Sequence, residues 1–397
     1  MNRKRLLFLH NEFPDGGAER VTIDIAHYVS SYGYETYVLA KKIRTSSIPL
    51  ITMLPLPDTQ ELNSKKNADA IVRVLNDWNI DIFVLPVQTL SYLAQIRERV
   101  RCRIVFALHS VPFWEIQHNL YAKRKQCRHS FFKRIKWLFL LYPKTNWLKH
   151  YHKRVMGEYE RIYRQVDAYT VLCDGYKQEL IKKMKLASGE NKLRVIPNAE
   201  KEIEVINLQK KKQVLFVGRM SYEDKRVDRL LDIWEMIYKQ IPEWELVLVG
   251  DGEEKISLEQ SAVQKKLQRI RFVGHSDCVQ AYYRESALLC LTSTFEGWPL
   301  CLTEAQANGV IPIAFDCAAG VHEILAPSGV NGFLIPPLQK KMFANVLLKL
   351  LQDPDRIKQM QRHVILKSMS YAPDVIGDKW LTLFESLLSP NIKQTHC

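Results

Sequence analysis

The sequence predicts an α/β protein with two Rossmann-like domains, each a parallel sheet covered by helices on both faces. The length of 397 residues suits two domains at about 150 residues each. With 47% hydrophobic residues, the chain can fill two cores. Short apolar runs alternate with helical patterns along the chain, and the alternation restarts after a polar stretch near the middle.

The N-terminal half, residues 1–198, begins with the apolar run Leu6–His10 and a turn containing Gly16 and Gly17. A helical pattern follows and ends at Gly33. Further strands are predicted at Thr36–Leu39, Ile82–Leu85, Ile104–Leu108, Tyr169–Leu172 and Leu193–Ile196. Because helical patterns separate most of these runs, the strands should be parallel.

Residues 199–212 are polar and predict a linker that ends in three lysines. The second domain, residues 213–370, begins with Val214–Val217 and a helical pattern from Val227 to Ile237. Its other predicted strands are Leu246–Val249, Ile270–Val273, Leu288–Leu291, Ile311–Phe315 and Phe333–Ile335. Helical patterns around Lys341–Leu351 and Lys379–Leu388 complete the chain, and residues 371–397 are expected to pack back toward the first domain. Two doubly wound domains should face a central ligand-binding cleft.

Composition excludes several classes of protein. The longest apolar run has six residues, far short of the ~20 that a membrane-spanning helix needs. The N-terminal apolar run is too short for a signal peptide, so the eight cysteines are expected to be reduced thiols of a cytoplasmic protein. No G-x-G-x-x-G and no P-loop motif is present, which disfavours dehydrogenases and P-loop ATPases.

One stretch combines two carboxylates with a predicted helix start. Glu296 precedes the helix expected from Pro299 to Asn308, and Glu304 lies inside that helix. Backbone N–H groups around Gly297, Trp298, Pro299 and Leu300 would form an anion site at its N-terminus. Carboxylates beside such a site suit sugar hydroxyls, although Glu296 would also suit a helix cap and Glu304 a solvated face.

Further candidates lie at three predicted strand ends. Arg219 and Lys225 follow the strand Val214–Val217, and two fixed cations suit a diphosphate, although both would also suit an ordinary surface. Gly16 and Gly17 would let the backbone approach a ligand, or form a plain turn. His109 closes the strand Ile104–Leu108, where a single histidine is more often structural.

These motifs, in their order along the chain, resemble those of the retaining glycosyltransferases of family 4, which have the GT-B fold. The resemblance covers nearly the whole chain, and its strongest motif is Glu296 and Glu304 separated by seven residues. Gly-Gly-Ala-Glu-Arg from Gly16, Val-Ile-Pro-Asn at Val195–Asn198 and Gly-Arg with Lys225 match in the same order. Arg226 stands where many members have glycine, and Trp298 where many have phenylalanine.

The resemblance implies a role for each matching residue and no cofactor. Arg219 and Lys225 would hold the diphosphate of a nucleotide-sugar, so no metal would be required. Glu296 and His109 would contact the donor sugar, and Glu304 the ribose. Backbone at Gly297, Trp298, Pro299 and Leu300 would hold sugar and phosphate, and the Gly16–Gly17 turn would approach the diphosphate. Catalysis would fall to Glu296, His109, Arg219 and Lys225.

The implied function is a retaining transfer of a hexose or N-acetylhexosamine from a UDP-sugar to a glycan or lipid-linked acceptor. Residues 315–324 resemble a branch of the family that mostly uses UDP-sugars. Surface polysaccharide or lipopolysaccharide synthesis is the expected pathway. A GDP-mannose-type transferase is the alternative, and a nucleotide-sugar epimerase a more distant one.

The charge is concentrated in the N-terminal half. Residues 1–198 have 33 Lys and Arg against 18 Asp and Glu, an excess of 15 positive charges. The net charge of the whole chain is +14, so the entire excess lies in this half. Residues 121–154 hold eleven of these cations, no acid, and several interleaved aromatic residues. This pattern favours an anionic membrane surface, hence a peripheral protein on its cytoplasmic face. A nucleic-acid-binding protein is the rival, but no nucleic-acid-binding motif is present, so nucleic acid is not the expected partner.

Overall fold

The computed structural model describes residues 3–14, 16–116, 132, 135, 137–141, 150–187, 189 and 191–389. These residues form two compact units. The described parts of 1–112, 151–199 and 373–397 make up the first unit, and those of 113–150 and 200–372 the second. Most of the basic segment 121–154 lies outside the described residues.

The first unit contains a seven-stranded parallel sheet. Its strands are β1 (Lys4–Phe13), β2 (Tyr34–Ile43), β3 (Ile51–Pro55), β4 (Ile82–Pro86), β5 (Arg103–Ala107), β6 (Ala168–Val171) and β7 (Leu193–Val195). They lie in the order β3-β2-β1-β4-β5-β6-β7, and each pairs in parallel with its neighbours. Its helices are α1 (Gly17–Ser30), α2 (Lys65–Asp77), α3 (Leu93–Arg99), α4 (His150–Gln165) and α5 (Asp174–Met184).

The second unit contains a six-stranded parallel sheet. Its strands are β8 (Lys211–Val217), β9 (Glu245–Val249), β10 (Ile270–Gly274), β11 (Ser286–Leu291), β12 (Ile311–Phe315) and β13 (Phe333–Ile335), in the order β10-β9-β8-β11-β12-β13. Its helices are α6 (Val227–Ile237), α7 (Lys255–Gln264), α8 (Val279–Glu285), α9 (Leu300–Ala307), α10 (Ala319–Leu325), α11 (Lys340–Leu351) and α12 (Pro354–Ser368). Turns of 3₁₀-helix follow at Tyr238–Gln240 and Met369–Tyr371, and a π-helix lies at Trp137–Leu141.

The two parallel-sheet α/β units confirm the predicted fold class. Apolar runs predicted the strands because both faces of each sheet are covered: every residue of β4, β11 and β12 is buried. Helical spacing predicted the inward faces. In α6, for example, the five apolar residues at helical spacing are all buried: Val227, Leu230, Leu231, Trp234 and Ile237.

Some elements differ from the prediction. Lys211 and Lys212, expected to end the linker, begin β8. The strand β3 and the helix α12 were not predicted, although Asp353 accepts a hydrogen bond from the Arg356 N–H and Pro354 opens that helix. The last helix, α13 (Pro373–Leu388), begins six residues before its predicted start and belongs to the first unit. Its Trp380 and Phe384 are buried in the same core as Phe8 of β1.

None of the helices in the described part of the chain is long and apolar enough to cross a lipid bilayer. The six cysteines among the described residues form no disulfide.

Candidate functional site

The strands β8 and β11 are neighbours in the sheet of the second unit, with Val214 opposite Leu288 and Leu215 opposite Leu289. Because they are parallel, the loops that follow Val217 and Leu291 leave the same edge of the sheet side by side. These two loops contain Arg219, Lys225 and Glu296. The sheet order therefore brings together residues that are about 70 positions apart in sequence.

Two glycines pack the first loop tightly against the sheet. Gly218 has φ +152°, and its N–H donates to the carbonyl of Val249 at 3.0 Å. A Cβ on Gly250 would lie 2.0 Å from the Gly218 carbonyl oxygen, which leaves no room for a side chain there. The loop thus starts from a fixed backbone position.

Asp224 organises the rest of this loop. Its carboxylate accepts hydrogen bonds from the Ser221 hydroxyl and from Arg219, whose Nη2 lies 3.2 Å from Oδ2. Its carbonyl accepts the N–H of Thr294 at 2.6 Å, which ties the two loops together. Burial opposes the charged form, but the Ser221 bond and the charges of Arg219 and Lys225 hold the pKa of Asp224 below its usual value.

The central contact of the site is between Lys225 and Glu296. Lys225 Nζ donates to Glu296 Oε1 at 2.7 Å, and the side chains are only 17% and 10% exposed. The Ser293 hydroxyl donates to the same oxygen at 2.5 Å. Burial acts against the charge on Lys225, but the charge of Glu296 outweighs it and raises the pKa of the ammonium. The pair is therefore an ordered, charged group at the strand ends.

Residues 297–300 connect this pair to helix α9. Pro299 occupies the N-cap position rather than the first turn, and Asn308 caps the other end before Gly309, which has φ +67°. Proline has no N–H, so Pro299 cannot contribute the backbone donor expected of it. The indole of Trp298 is buried in an edge-on contact with Tyr371, with the ring centroids 5.2 Å apart. Glu296 does not cap the helix.

Glu304 lies inside α9, as predicted, but not on a solvated face. Its Oε2 accepts a hydrogen bond of 2.8 Å from the hydroxyl of Tyr283, a fully buried residue on α8. Burial, followed by the negative charge of Glu304, raises the pKa of Tyr283 well above its usual value. The adjacent Thr303 donates to the buried carboxylate of Glu200 at 2.6 Å.

In the first unit, the glycine turn lies between β1 and α1. Gly16 has φ +131°, and a Cβ there would lie 2.2 Å from a carboxylate oxygen of Glu19, whereas Gly17 faces open space. Glu19 Oε1 lies 3.3 Å from Nδ1 of His10, and Nε2 of that buried ring lies 2.9 Å from the Thr22 hydroxyl. The backbone angle of Gly16 thus favours glycine, whereas the Glu19 carboxylate stands at the end of a flexible side chain that could move aside.

His109 follows β5 in the same unit. Its Nδ1 lies 3.1 Å from Oδ1 of Asn198, the last residue of the Val-Ile-Pro-Asn motif. Burial lowers the pKa of His109 to about 4, against the effect of this hydrogen bond. The charges of His10 and Glu19 also act on it, so the glycine turn and His109 share one electrostatic environment.

The structure thus groups Arg219, Lys225 and Glu296 in one cluster and places Glu304 on the helix that follows. Gly16, Gly17 and His109 lie in the other unit. No sequence pattern had indicated the groups that hold these candidates, which are Asp224, Ser293 and Tyr283. Asp224 and Ser293 stand one and three residues from candidates, which was a usable signal, whereas nothing distinguished Tyr283 from a core aromatic residue.

Metal ligation is not evident in the described ranges, where no three His, Cys, Asp or Glu side chains come together as a metal site would require.

Two family models match adjacent parts of the chain. The model described as Glycosyltransferase Family 4 matches residues 15–199, and the one described as Glycosyl transferases group 1 matches residues 198–365. Among curated proteins, the amylovoran biosynthesis glycosyltransferase AmsD of Erwinia amylovora is 35% identical over 173 residues, 43% of this chain. The matched stretch spans about half of AmsD, 48% of its length.

Solved structures share the fold over nearly the whole chain. The apo form of the lipopolysaccharide outer core galactosyltransferase WaaB has a TM-score of 0.71 at 19% identity, covering 97% of this chain and all of WaaB (100%). Anabaena HepE in complex with UDP-glucose has a TM-score of 0.69 at 18% identity, covering 96% of this chain and 99% of HepE. At these identities the likeness shows the fold alone, which is GT-B.

Proposed function

Because the chain belongs to the glycosyltransferases of family 4, we propose that it transfers a sugar from a UDP-sugar to a glycan or lipid-linked acceptor with retention of anomeric configuration. The observation that carries the proposal is the Lys225–Glu296 pair at 2.7 Å beside Arg219. This arrangement combines cations for a diphosphate with a carboxylate for a sugar, in the unit matched by the group 1 model.

The cations would act on the leaving group. When the glycosidic bond of a nucleotide-sugar breaks, negative charge develops on the diphosphate, and fixed positive charges stabilise the transition state. The ammonium of Lys225 has three N–H donors, of which one points at Glu296. Arg219 is 66% exposed and so can reach an incoming phosphate while Asp224 steadies its guanidinium. Lys225 would serve as the buried anchor and Arg219 as the outer contact.

The carboxylates would hold the two sugars of the donor. Glu296, whose Oε1 accepts hydrogen bonds from Lys225 and Ser293, would contact the hydroxyls of the transferred hexose or N-acetylhexosamine. Glu304, eight residues further on, would take the ribose hydroxyls. The Gly16–Gly17 turn and His109 belong to the first unit, and the donor-binding roles that the resemblance implies for them stay predictions.

The names of similar proteins support the choice of donor and pathway. HepE was solved with UDP-glucose, and AmsD and WaaB are named for amylovoran and lipopolysaccharide synthesis. We accordingly favour UDP over GDP donors and a surface polysaccharide or lipopolysaccharide as the acceptor.

A donor panel tests the proposal. Purified protein is titrated calorimetrically with UDP and GDP and assayed for hydrolysis and transfer with UDP-glucose, UDP-galactose, UDP-N-acetylglucosamine and GDP-mannose. We expect UDP to bind and one UDP-sugar to be consumed, with an α-linked product by NMR. Preference for GDP-mannose would indicate the alternative transferase, and an inverted product would refute retention. Gel shifts with duplex and single-stranded nucleic acid at physiological salt should show no binding.

Peripheral membrane association is a second part of the proposal. Within the segment 121–154, four described apolar residues have exposed side chains: Phe132, Ile135, Leu138 and Phe139, at 82%, 42%, 55% and 76%. Exposed apolar side chains in a stretch with eleven cations suit the headgroup boundary of an anionic bilayer.

Vesicle co-sedimentation tests this association. Binding should be strong on vesicles with anionic lipid, weak on zwitterionic vesicles and reduced by salt, because the attraction is screened. Phe132→Ser with Phe139→Ser should weaken it, whereas Val263→Ser, at an equally exposed apolar position of another helix, should not. Equal binding to both lipids, or no effect of the double substitution, would reject the membrane role.

A further inference from the structure

We propose that Tyr283 is a positioning residue for nucleotide recognition, holding the carboxylate of Glu304 in the orientation that receives the ribose hydroxyls of the donor. The inference rests on the proposed function, since it takes Glu304 as the ribose ligand. It adds a residue outside the motifs of the sequence and makes a separate claim about selectivity.

The contact between the two side chains is direct. The hydroxyl of Tyr283 donates to Glu304 Oε2 at 2.8 Å, and the phenol is fully buried on α8. A hydrogen bond to a charged acceptor is stronger than one between neutral groups, and the buried ring cannot follow the carboxylate elsewhere. One oxygen of Glu304 is therefore fixed in place by a rigid donor.

The backbone that carries Tyr283 is fixed as well. Lys210 Nζ donates to the carbonyl oxygens of Tyr283, Arg284 and Asn308 at 3.0, 3.1 and 2.8 Å. The carbonyls of Tyr283 and Arg284 lie in the last turn of α8, and that of Asn308 lies just after α9. One ammonium therefore joins α8, which carries Tyr283, to α9, which carries Glu304. Groups on such tied elements hold a more exact geometry than groups on loops.

The expected consequence concerns the ribose more than the diphosphate. A glutamate has three rotatable bonds, and a carboxylate recognises two vicinal hydroxyls well only when its plane is held. Without the Tyr283 hydroxyl, Oε2 of Glu304 would lose the buried donor that orients it, and the carboxylate would be placed less accurately. Binding of the phosphates by Arg219 and Lys225 should change little, whereas preference for a nucleotide with ribose hydroxyls should fall.

Calorimetric titration with UDP and with 2′,3′-dideoxy-UDP measures this preference as a ratio of dissociation constants. The wild type should prefer UDP, and Tyr283→Phe should reduce that preference by about tenfold, the usual effect of a hydrogen bond to a charged group. The matched control is Tyr282→Phe, which removes the hydroxyl of the neighbouring residue and should leave the ratio unchanged. A Tyr283→Phe protein with the wild-type ratio would overturn the proposal.

Two further variants separate positioning from a general loss of structure. In a Glu304→Gln background, Tyr283→Phe should have no further effect on the ratio, whereas a loosened fold would lower binding again. Glu304→Asp leaves Tyr283 intact but shortens the side chain that carries the carboxylate, so it should also lose the preference for UDP over 2′,3′-dideoxy-UDP. Full retention of that preference would count against the proposal. If Glu304→Gln itself leaves UDP selectivity unchanged, the ribose assignment and this proposal both fail, whereas loss of UDP binding in Lys225→Met still tests the diphosphate site on its own.

Discussion

Replacing Lys225 by methionine should separate the stability of the Lys225–Glu296 pair from its function. Methionine keeps most of the length of the side chain and removes the charge. Glu296 would then be a buried carboxylate supported by Ser293 without its cation. Removing one partner of a buried ion pair typically costs 3–5 kcal/mol, and with the side chains 17% and 10% exposed we expect about 3 kcal/mol.

The double variant shows whether the cost comes from the unpaired charge. Glu296→Gln alone should cost about 2 kcal/mol, because Lys225 loses its main counter-charge, while the amide oxygen can still accept from Lys225 and the negative charge of Asp224 stays nearby. Lys225→Met with Glu296→Gln should cost about 2 kcal/mol less than the sum of the single changes, since no uncompensated charge remains. The double variant should bind UDP about thirtyfold more weakly than the wild type, a loss of about 2 kcal/mol, because the cation is still missing.

Lys340 offers a matched control. Its Nζ lies 2.7 Å from Asp232 Oδ2, the same distance as in the Lys225 pair, but the side chains are 39% and 29% exposed. Lys340→Met should therefore cost less than about 1 kcal/mol and leave UDP binding unchanged.

Urea unfolding provides the assay, with hydrogen exchange of residues 211–335 assigning the transition to the second unit, because two units can unfold in separate steps. UDP affinity is measured by calorimetry on the same proteins. A loss of unfolding free energy in Lys225→Met no greater than in Lys340→Met would refute the role of the buried ion pair. Additive losses for the changes at 225 and 296 would refute the coupling between them. Unchanged UDP affinity in Lys225→Met would refute its contact with the diphosphate.

Other outcomes follow from single features. Burial lowers the pKa of His109 to about 4, so the ring stays neutral in the folded protein, whereas in the unfolded chain it protonates near pH 6.5. The free energy of unfolding should therefore be highest above pH 6.5 and fall by up to about 3 kcal/mol toward pH 4. Urea titrations across this range should show a flatter pH dependence for His109→Gln. Gly250→Ala should lower stability by about 3 kcal/mol or more, because the new Cβ meets backbone, while Gly33→Ala, with φ +80° and open space, should cost about 1 kcal/mol in thermal unfolding. EDTA should leave turnover intact and Arg219→Ala should weaken UDP binding measurably; loss of turnover restored by Mg²⁺ would contradict a metal-free diphosphate site.

Local patterns predicted most of the fold because burial on both faces of a parallel sheet requires continuous apolar strands. The strands Ile311–Phe315 and Phe333–Ile335 and the helix Val227–Ile237 have the predicted bounds. The strand Ile51–Pro55 was missed although its sequence is apolar, because the prolines at positions 49, 55 and 57 are typical of turns.

Arg226 illustrates a signal that sequence comparison carries but composition does not. The family resemblance places it where many members have glycine, and the structure gives it φ +51° at the N-cap of α6. Its guanidinium contacts the Tyr222 ring at 4.2 Å and pairs with Asp228 at 2.8 Å. A left-handed backbone angle favours glycine, so the angle agrees with the residue that the resemblance implies for this position.

The alternation of strands and helices and the spacing of Glu296 and Glu304 around one helix could be predicted from the sequence, since both depend on neighbours in the chain. Tertiary packing places β8 beside β11, which brings Lys225 to Glu296, and it places Tyr283 of α8 against Glu304. Sheet order and helix packing result from burying apolar surface among distant segments. The free energy gained by burying apolar surface depends on the arrangement of the whole chain, so no local pattern in the sequence indicates which polar groups the fold brings together.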